Sequence, residues 1–473
     1  MQFTREINRL VIGVLIIFGI VVISAAYWAL TGPDTLTARQ DNPRLVEAEA
    51  AILRGSIYDR DGNLLVVSER NESGSVTRRY LQAAMNSAVG YSSLRYGVSG
   101  TESAFNSILR GDSNTDEAIW NALLHRPQQG ADIRVTFDSA IQQEAVAQMG
   151  ERHGAVVVVD VLTGKVLALA SLPTFDPNQL DADWERLTTS PGNPFFNRAI
   201  QGSYQPGGTL HTLLLAAAIL KGSPLNIPLE NATQRVRLRD IEVGCLVDPV
   251  SASLTLEQAY RYGCPAPFVQ LVTTLGADTV RAAFETFALE RPPTLPGYAA
   301  AAPTLPTSTP VALNLNDTTI IDEALGQGAV TITPLEMALI AAAIVNEGNA
   351  PTPYTLLATR QPDSDTWVDE RSVQPNLPLT TANTAAKLRD LMRTTVTNGA
   401  ASAADRSGLT IGGQVAVAYS GEQAQSWFIG YILFANGGGA AVAVVIEDEV
   451  APSTAASIGG DVLAMAYERQ NDG

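Results

Sequence analysis

Lysine is almost missing from this 473-residue chain: Lys165, Lys221 and Lys387 are the only ones, so its positive charge is carried by arginine. An arginine side chain stays protonated in proteins and cannot serve as a general base. The two lysine-dependent chemistries, base catalysis and Schiff-base formation, are therefore confined to three positions. Histidine is as scarce, with only His125, His153 and His211. These three are far apart and carry no cysteine or carboxylate at ligand spacing, so no metal site or other cofactor is expected. Basic charge is short overall: the formal charge is −17 and the pI about 4.6, which repels a phosphate backbone and argues against a nucleic-acid partner. Cysteine is limited to Cys245 and Cys264. An exported chain permits a disulfide between them, and a pair of buried free thiols is the alternative.

What the chain does have is apolar sequence, 46% of its residues, enough for two cored domains. One run, Leu10 to Leu30, is uncharged for 21 residues. At about 1.5 Å rise per residue it spans roughly 30 Å of hydrocarbon. Arg5 and Arg9 precede it and Tyr27 and Trp28 lie near its far end, which predicts a cytoplasmic N-terminus and an extracytoplasmic remainder. A cleaved signal peptide is the alternative, but its apolar region is normally shorter, about 7–15 residues.

Along the rest of the chain the periodicity predicts an α+β protein. Residues 31–50 are polar and stalk-like. Ile52 to Ser68 alternates around Asp61-Gly62 and reads as a hairpin, and Gly97 to Asp112 joins a glycine-rich turn to a short amphipathic helix. Gly154 to Asn178 reads as a second, buried hairpin around "LTGK". Thr333 to Gly348 reads as a capped helix, with Pro334 in its first turn and Glu336 three residues after Thr333. "QVAVAY" and "SWFIGYILFA", separated by "SGEQAQ", and then "GAAVAVVIEDE" read as strands of a central antiparallel sheet. Residues 291–312 and 361–379 read as loops.

Taken in order, "NPR" at Asn42, "RGSIYDRDGNLL", "GVSGTES", "GAVVVVDVLTGKVLALASLPTFDPN", "NRAIQGSYQPGG", "GQGAVTITPLEMALIAAAIVNEG" and "SWFIGY" resemble the class B penicillin-binding proteins over nearly the whole length. The resemblance implies a cytoplasmic tail (1–9), a transmembrane anchor (10–30), a small mixed pedestal (31–150) and a transpeptidase domain of the serine β-lactamase kind (151–473). That domain would have a central antiparallel sheet flanked by helices. Active members cross-link peptidoglycan stem peptides through an acyl-enzyme on serine, and their anchor and pedestal contact a polytopic glycan polymerase.

That chemistry needs a serine with a lysine one helical turn on, a second serine in S-x-N, and K-T-G on a strand. Here the first pattern, P-G-S-T-F-K in the family, reads Pro206-Gly207-Gly208-Thr209-Leu210-His211, so Gly208 stands for the nucleophile and His211 for the lysine. The second, S-C-N, reads Gly263-Cys264-Pro265. The third falls on Gln414-Val415-Ala416, or in a shifted register on Tyr419-Ser420-Gly421, and neither contains lysine. Three residues before the lysines stand Leu162, Ala218 and Thr384, so no S-x-x-K exists elsewhere.

The resemblance therefore implies an inactive scaffold or regulator of cell-wall synthesis or division. The competing readings are a transpeptidase or hydrolase with relocated residues, and a sensor of peptidoglycan fragments. His211 could be a new base, but its neighbours Thr209 and Thr212 do not lie a turn away, so a filler of the lysine space is expected. Ser203 and Ser420 are expected to be loop and turn hydroxyls, Asp59, Arg60 and Asp61 a structural turn, and Gly326-Gln327-Gly328 too short for a phosphate loop.

Overall fold

The structure is a computed structural model that describes residues 2–32, 49–71, 75–112, 128–238, 241–287, 289, 293–299, 320–370, 374–421, 423–435 and 437–470. "NPR", most of the stalk, His125 and most of the 291–312 loop lie outside these residues. The apolar run is part of a helix, Gln2–Gly32, whose segment Ile7–Ala25 is long and apolar enough to cross a membrane and is not buried against the other described residues.

Beyond this helix the chain is organised by two sheets. The first has six strands: β1 (Ile57–Tyr58), β2 (Leu64–Arg70), β3 (Val76–Tyr80), β4 (Asp132–Val135), β7 (Leu356–Arg360) and β8 (Val368–Asp369), in the order β8-β7-β4-β1-β2-β3. The hairpin around Asp61-Gly62 is present as the β1–β2 pair. Asp59 closes its turn: its carboxylate accepts from the Asp61 and Asn63 amides, the Asn63 side chain and Ser139. The 361–379 segment differs from the loop expected there. Its β8 residues pair with β7, which lies against β4, so a late hairpin completes the early sheet. Trp367 holds this edge by stacking under the guanidinium groups of Arg134 and Arg360.

The short helix expected after the glycine-rich turn within 97–112 breaks at Phe105 into Gly100–Ala104 and Asn106–Arg110. It carries Glu102, the centre of a buried ion cluster. Arg54 Nη2 and Arg78 Nε each lie 2.7 Å from a different Glu102 carboxylate oxygen. Burial alone would raise the Glu102 pKa; the two arginines override it and hold the carboxyl below its ordinary value.

The second sheet is the predicted antiparallel one: β5 (Gly154–Asp160), β6 (Val166–Leu172), β9 (Ile411–Ser420), β10 (Gln423–Leu433) and β11 (Gly439–Glu447), ordered β9-β10-β11-β5-β6. Nearly every residue of β5, β6, β10 and β11 is buried, because helices cover both faces. Helix Pro334–Val345 covers one face and Pro452–Arg469 the other. β9 and β10 run through most of the "SGEQAQ" spacer, so the turn is tighter than its composition suggested.

Thr333 caps its helix by accepting from the Glu336 amide, but the Glu336 carboxyl does not return the bond. Instead it is buried, and desolvation pushes its pKa up to about 8. β9 is an edge strand, and the helix His211–Leu220 begins beside it.

Candidate functional site

Pro206 ends an irregular loop and leads into a single 3-10 turn, Gly207–Leu210, that runs on into His211–Leu220. Glycine is required at 207: φ is +55°, and a Cβ there would lie 2.6 Å from the Val417 carbonyl oxygen of β9. It is not required at 208. A Cβ on Gly208 would meet His211 at 3.2 Å and the Ala416 Cβ at 3.8 Å, a tight fit with room for a small side chain. The absent hydroxyl therefore has no backbone cause.

The His211 ring is buried and stacks flat on Phe268, with centroids 3.9 Å apart and an interplanar angle of 2°. Neither ring nitrogen has a hydrogen-bond partner. Burial drives its pKa down to about 3, so the imidazole is neutral at physiological pH. The two hydroxyls close to it in sequence are bonded elsewhere: Thr209 donates to the Pro206 carbonyl at 2.7 Å, and Thr212 is paired with the Tyr260 hydroxyl at 2.8 Å.

Gly263 and Pro265 occupy the turn between two helices. Gly263, at φ +65°, terminates Leu256–Tyr262, and a Cβ there would lie 2.8 Å from Leu246; Pro265 opens Ala266–Leu275. Between them Cys264 is disulfide-bonded to Cys245, which ties this turn to the short hairpin Val236–Leu238 and Ile241–Val243. On β9 the Gln414 side chain is buried. Its Nε2 donates to the Tyr260 carbonyl at 3.3 Å, and its Oε1 has no partner. Ala416, rather than Gly421, lies against Gly208; Gly421 is in open space and Ser420 is exposed at the strand end.

Gly208, His211, Gly263, Pro265 and Ala416 thus line one cavity of about 260 Å³, and Gln414 is not part of its lining. At its mouth the hairpin places Arg235 and Glu242 3.3 Å apart. The cavity lining combines aliphatic side chains with a neutral imidazole, the Arg235–Glu242 pair and strand β9. Ser203 sits in the loop before Pro206 and His153 near Gly192. Among the described residues no cluster of three metal-ligating side chains occurs.

Residue-by-residue reading missed Gln327, which lines the cavity and reaches across to β9. "GQG" carries no local mark of so distant a contact. It also missed the hairpin at the mouth, although "VRL" and "IEV" alternate as short strands do.

Residues 154–464 match the Penicillin binding protein transpeptidase domain family, and residues 54–133 match the Penicillin binding protein A dimerisation domain. The chain is 29% identical to the peptidoglycan D,D-transpeptidase PbpA of Mycolicibacterium smegmatis, over 94% of each sequence. It is 30% identical to PbpA of Mycobacterium tuberculosis, over 87% of this chain and 85% of the relative. Among solved structures, the D,D-transpeptidase domain of a peptidoglycan glycosyltransferase from Eggerthella lenta superposes with a TM-score of 0.77 at 28% identity, covering 89% of this chain and 99% of that one. The imipenem acyl-enzyme complex of M. tuberculosis penicillin-binding protein A gives 0.76 at 28% identity, covering 88% and 99%. With the architecture, the order of the motif positions and these matches in agreement, the chain belongs to the class B penicillin-binding protein family.

Proposed function

We propose that this protein is a membrane-anchored penicillin-binding protein that retains the transpeptidase architecture without its chemistry, and acts as a scaffold or regulator in peptidoglycan synthesis. The observation that carries the reading is Gly208. It stands where the helix entrance presents the nucleophile, its backbone tolerates a side chain, and the titratable group packed against it is a neutral histidine with no hydrogen-bond partner. An acyl-enzyme needs an attacking oxygen or sulfur and a base to take its proton. The substitutions Gly263, Pro265 and Gln414 remove the other hydroxyl, amide and ammonium that the family's chemistry uses. The relatives' D,D-transpeptidase activity therefore does not extend to this chain under this reading.

The anchor, with Arg5 and Arg9 before it, would leave residues 31–150 and 151–473 outside the cytoplasm as pedestal and transpeptidase-like domains. The anchor and pedestal would then be free to engage a polytopic glycan polymerase. In the test, the full-length protein in detergent is incubated with stem peptides and the released D-alanine and cross-linked dimers are measured. No product above a protein-free control is expected; turnover would overturn the proposal. The intact cavity supports a second reading, a sensor that binds stem-peptide fragments without turning them over.

A further inference from the structure

A strand at the edge of a sheet leaves a row of main-chain N–H and C=O groups unpaired, and such a row is a ready acceptor for an extended peptide. β9 is that edge strand, and the cavity opens along it at Val415, Ala416, Val417 and Tyr419. Its pairing with β10 alternates in direction, so Val417 and Tyr419 turn their main-chain groups outward together. Those groups are already occupied. Gln327 Nε2 donates to the Val417 carbonyl at 3.2 Å, and Gln327 Oε1 accepts from the Tyr419 amide at 3.0 Å. One side-chain amide thus supplies the donor and acceptor that a bound peptide would bring.

The loop that delivers this side chain is firmly held. The Glu323 carboxylate accepts from the Ala329 amide at 2.8 Å and the Val330 amide at 3.0 Å. The Gly326 carbonyl accepts from Gly207 at 2.9 Å, and a Cβ at Gly326 would collide with Gly207 at 2.3 Å. Glycine at 326 therefore lets the loop press against the helix entrance. Gln327 itself is buried, and its side chain stands between the cavity and the strand edge.

We propose that Gln327 is a latch on the motif cleft. It takes up the peptide-pairing edge of β9 in the free protein, and an extended peptide gains that edge only when the side chain swings out. The latch deepens the reading of the cleft as a binding site and rests on it only for the nature of the ligand. Binding competence is then limited by the fraction of molecules with Gln327 withdrawn, and the apparent affinity falls by that fraction.

The test uses the full-length protein in detergent and a soluble stem-peptide analogue ending in D-Ala-D-Ala, with Kd measured by calorimetry for wild type, Gln327→Ala and Gln327→Met. Methionine keeps the length and packing but has no amide, so it separates the latch from simple loss of volume. Both variants should bind on the order of tenfold tighter, since two hydrogen bonds no longer compete with the ligand. A main-chain N-methylated analogue should lose that gain. Hydrogen exchange of the segment containing Tyr419 should quicken in both free variants. Equal or weaker binding by both variants, or no binding by any of the three proteins at millimolar peptide, would overturn the latch. Turnover of the peptide would instead refute the inactive reading and leave the ratio of affinities as the measure of the latch.

Discussion

Two buried polar clusters in this chain are built in opposite ways. Around Glu102 the charges are matched: both carboxylate oxygens are paired, each Arg54 nitrogen finds an acceptor on Glu102 or Asn106, and of the two guanidinium groups only Arg78 Nη2 is buried without a partner. Around His211 the polar atoms are left over. Both ring nitrogens and the Gln414 Oε1 are buried without partners, at positions that the sequence resemblance aligns with the family's lysines. The first cluster is under constraint from folding, because an unpaired charge in the core is costly. The second lies where a reaction would have imposed the constraint. Under the proposed inactive reading, its loose ends are what remains when packing alone selects the side chains, since a neutral histidine can sit in an apolar slot where a lysine would need a counter-charge.

The largest effect separating the two should come from Glu102→Ala, which leaves two buried guanidinium groups unpaired. We expect a loss of about 3–5 kcal/mol in urea unfolding. The pH dependence sharpens the contrast further. The folded-state pKa of His211, about 3, lies below its unfolded value of about 6.5, so stability is intact above pH 6.5 and is lost as pH falls towards 3. His211's own contribution to the slope is about 1.4 kcal/mol per pH unit, and that part alone should be lost in His211→Leu. Glu336 has the opposite sign. Its folded pKa of about 8 exceeds the unfolded value of 4.5, so its contribution is present below pH 4.5 and is lost as pH rises through 8. Between pH 6.5 and 8, where His211 no longer contributes, the melting temperature of Glu336→Gln should vary less with pH than that of wild type; an identical dependence would mean the carboxyl is not held neutral. Smallest of all, His211→Leu at pH 7 should gain roughly 1–2 kcal/mol, because it removes unsatisfied polar atoms from the core. The same measurement showing a clear loss would mean that His211 has a partner after all.

Much of the fold was legible because it is local. The hairpins around Asp61-Gly62 and "LTGK" follow from period and turn chemistry, and the helix at Pro334 follows from its Thr333 cap. What was not legible depends on distant pairing. β7 and β8 join a sheet more than 200 residues earlier in the chain, and no local pattern in 356–369 names that partner. Glu336 has the spacing of a reciprocal cap, but burial among apolar neighbours decides its protonation instead. At the site, motif order was enough to bring Gly208, His211, Gly263, Pro265 and Ala416 into one cavity. It could not place Gln327 on β9, because that contact joins two segments whose meeting is set by the packing of the whole domain.

Intact-protein mass spectrometry of the full-length chain after incubation with benzylpenicillin tests the central claim most directly. Without an attacking atom at position 208 the β-lactam ring has nothing to acylate, so the mass should be unchanged at saturating drug. A stoichiometric adduct of the mass of one penicillin, mapped to any side chain of the cavity, would contradict the account.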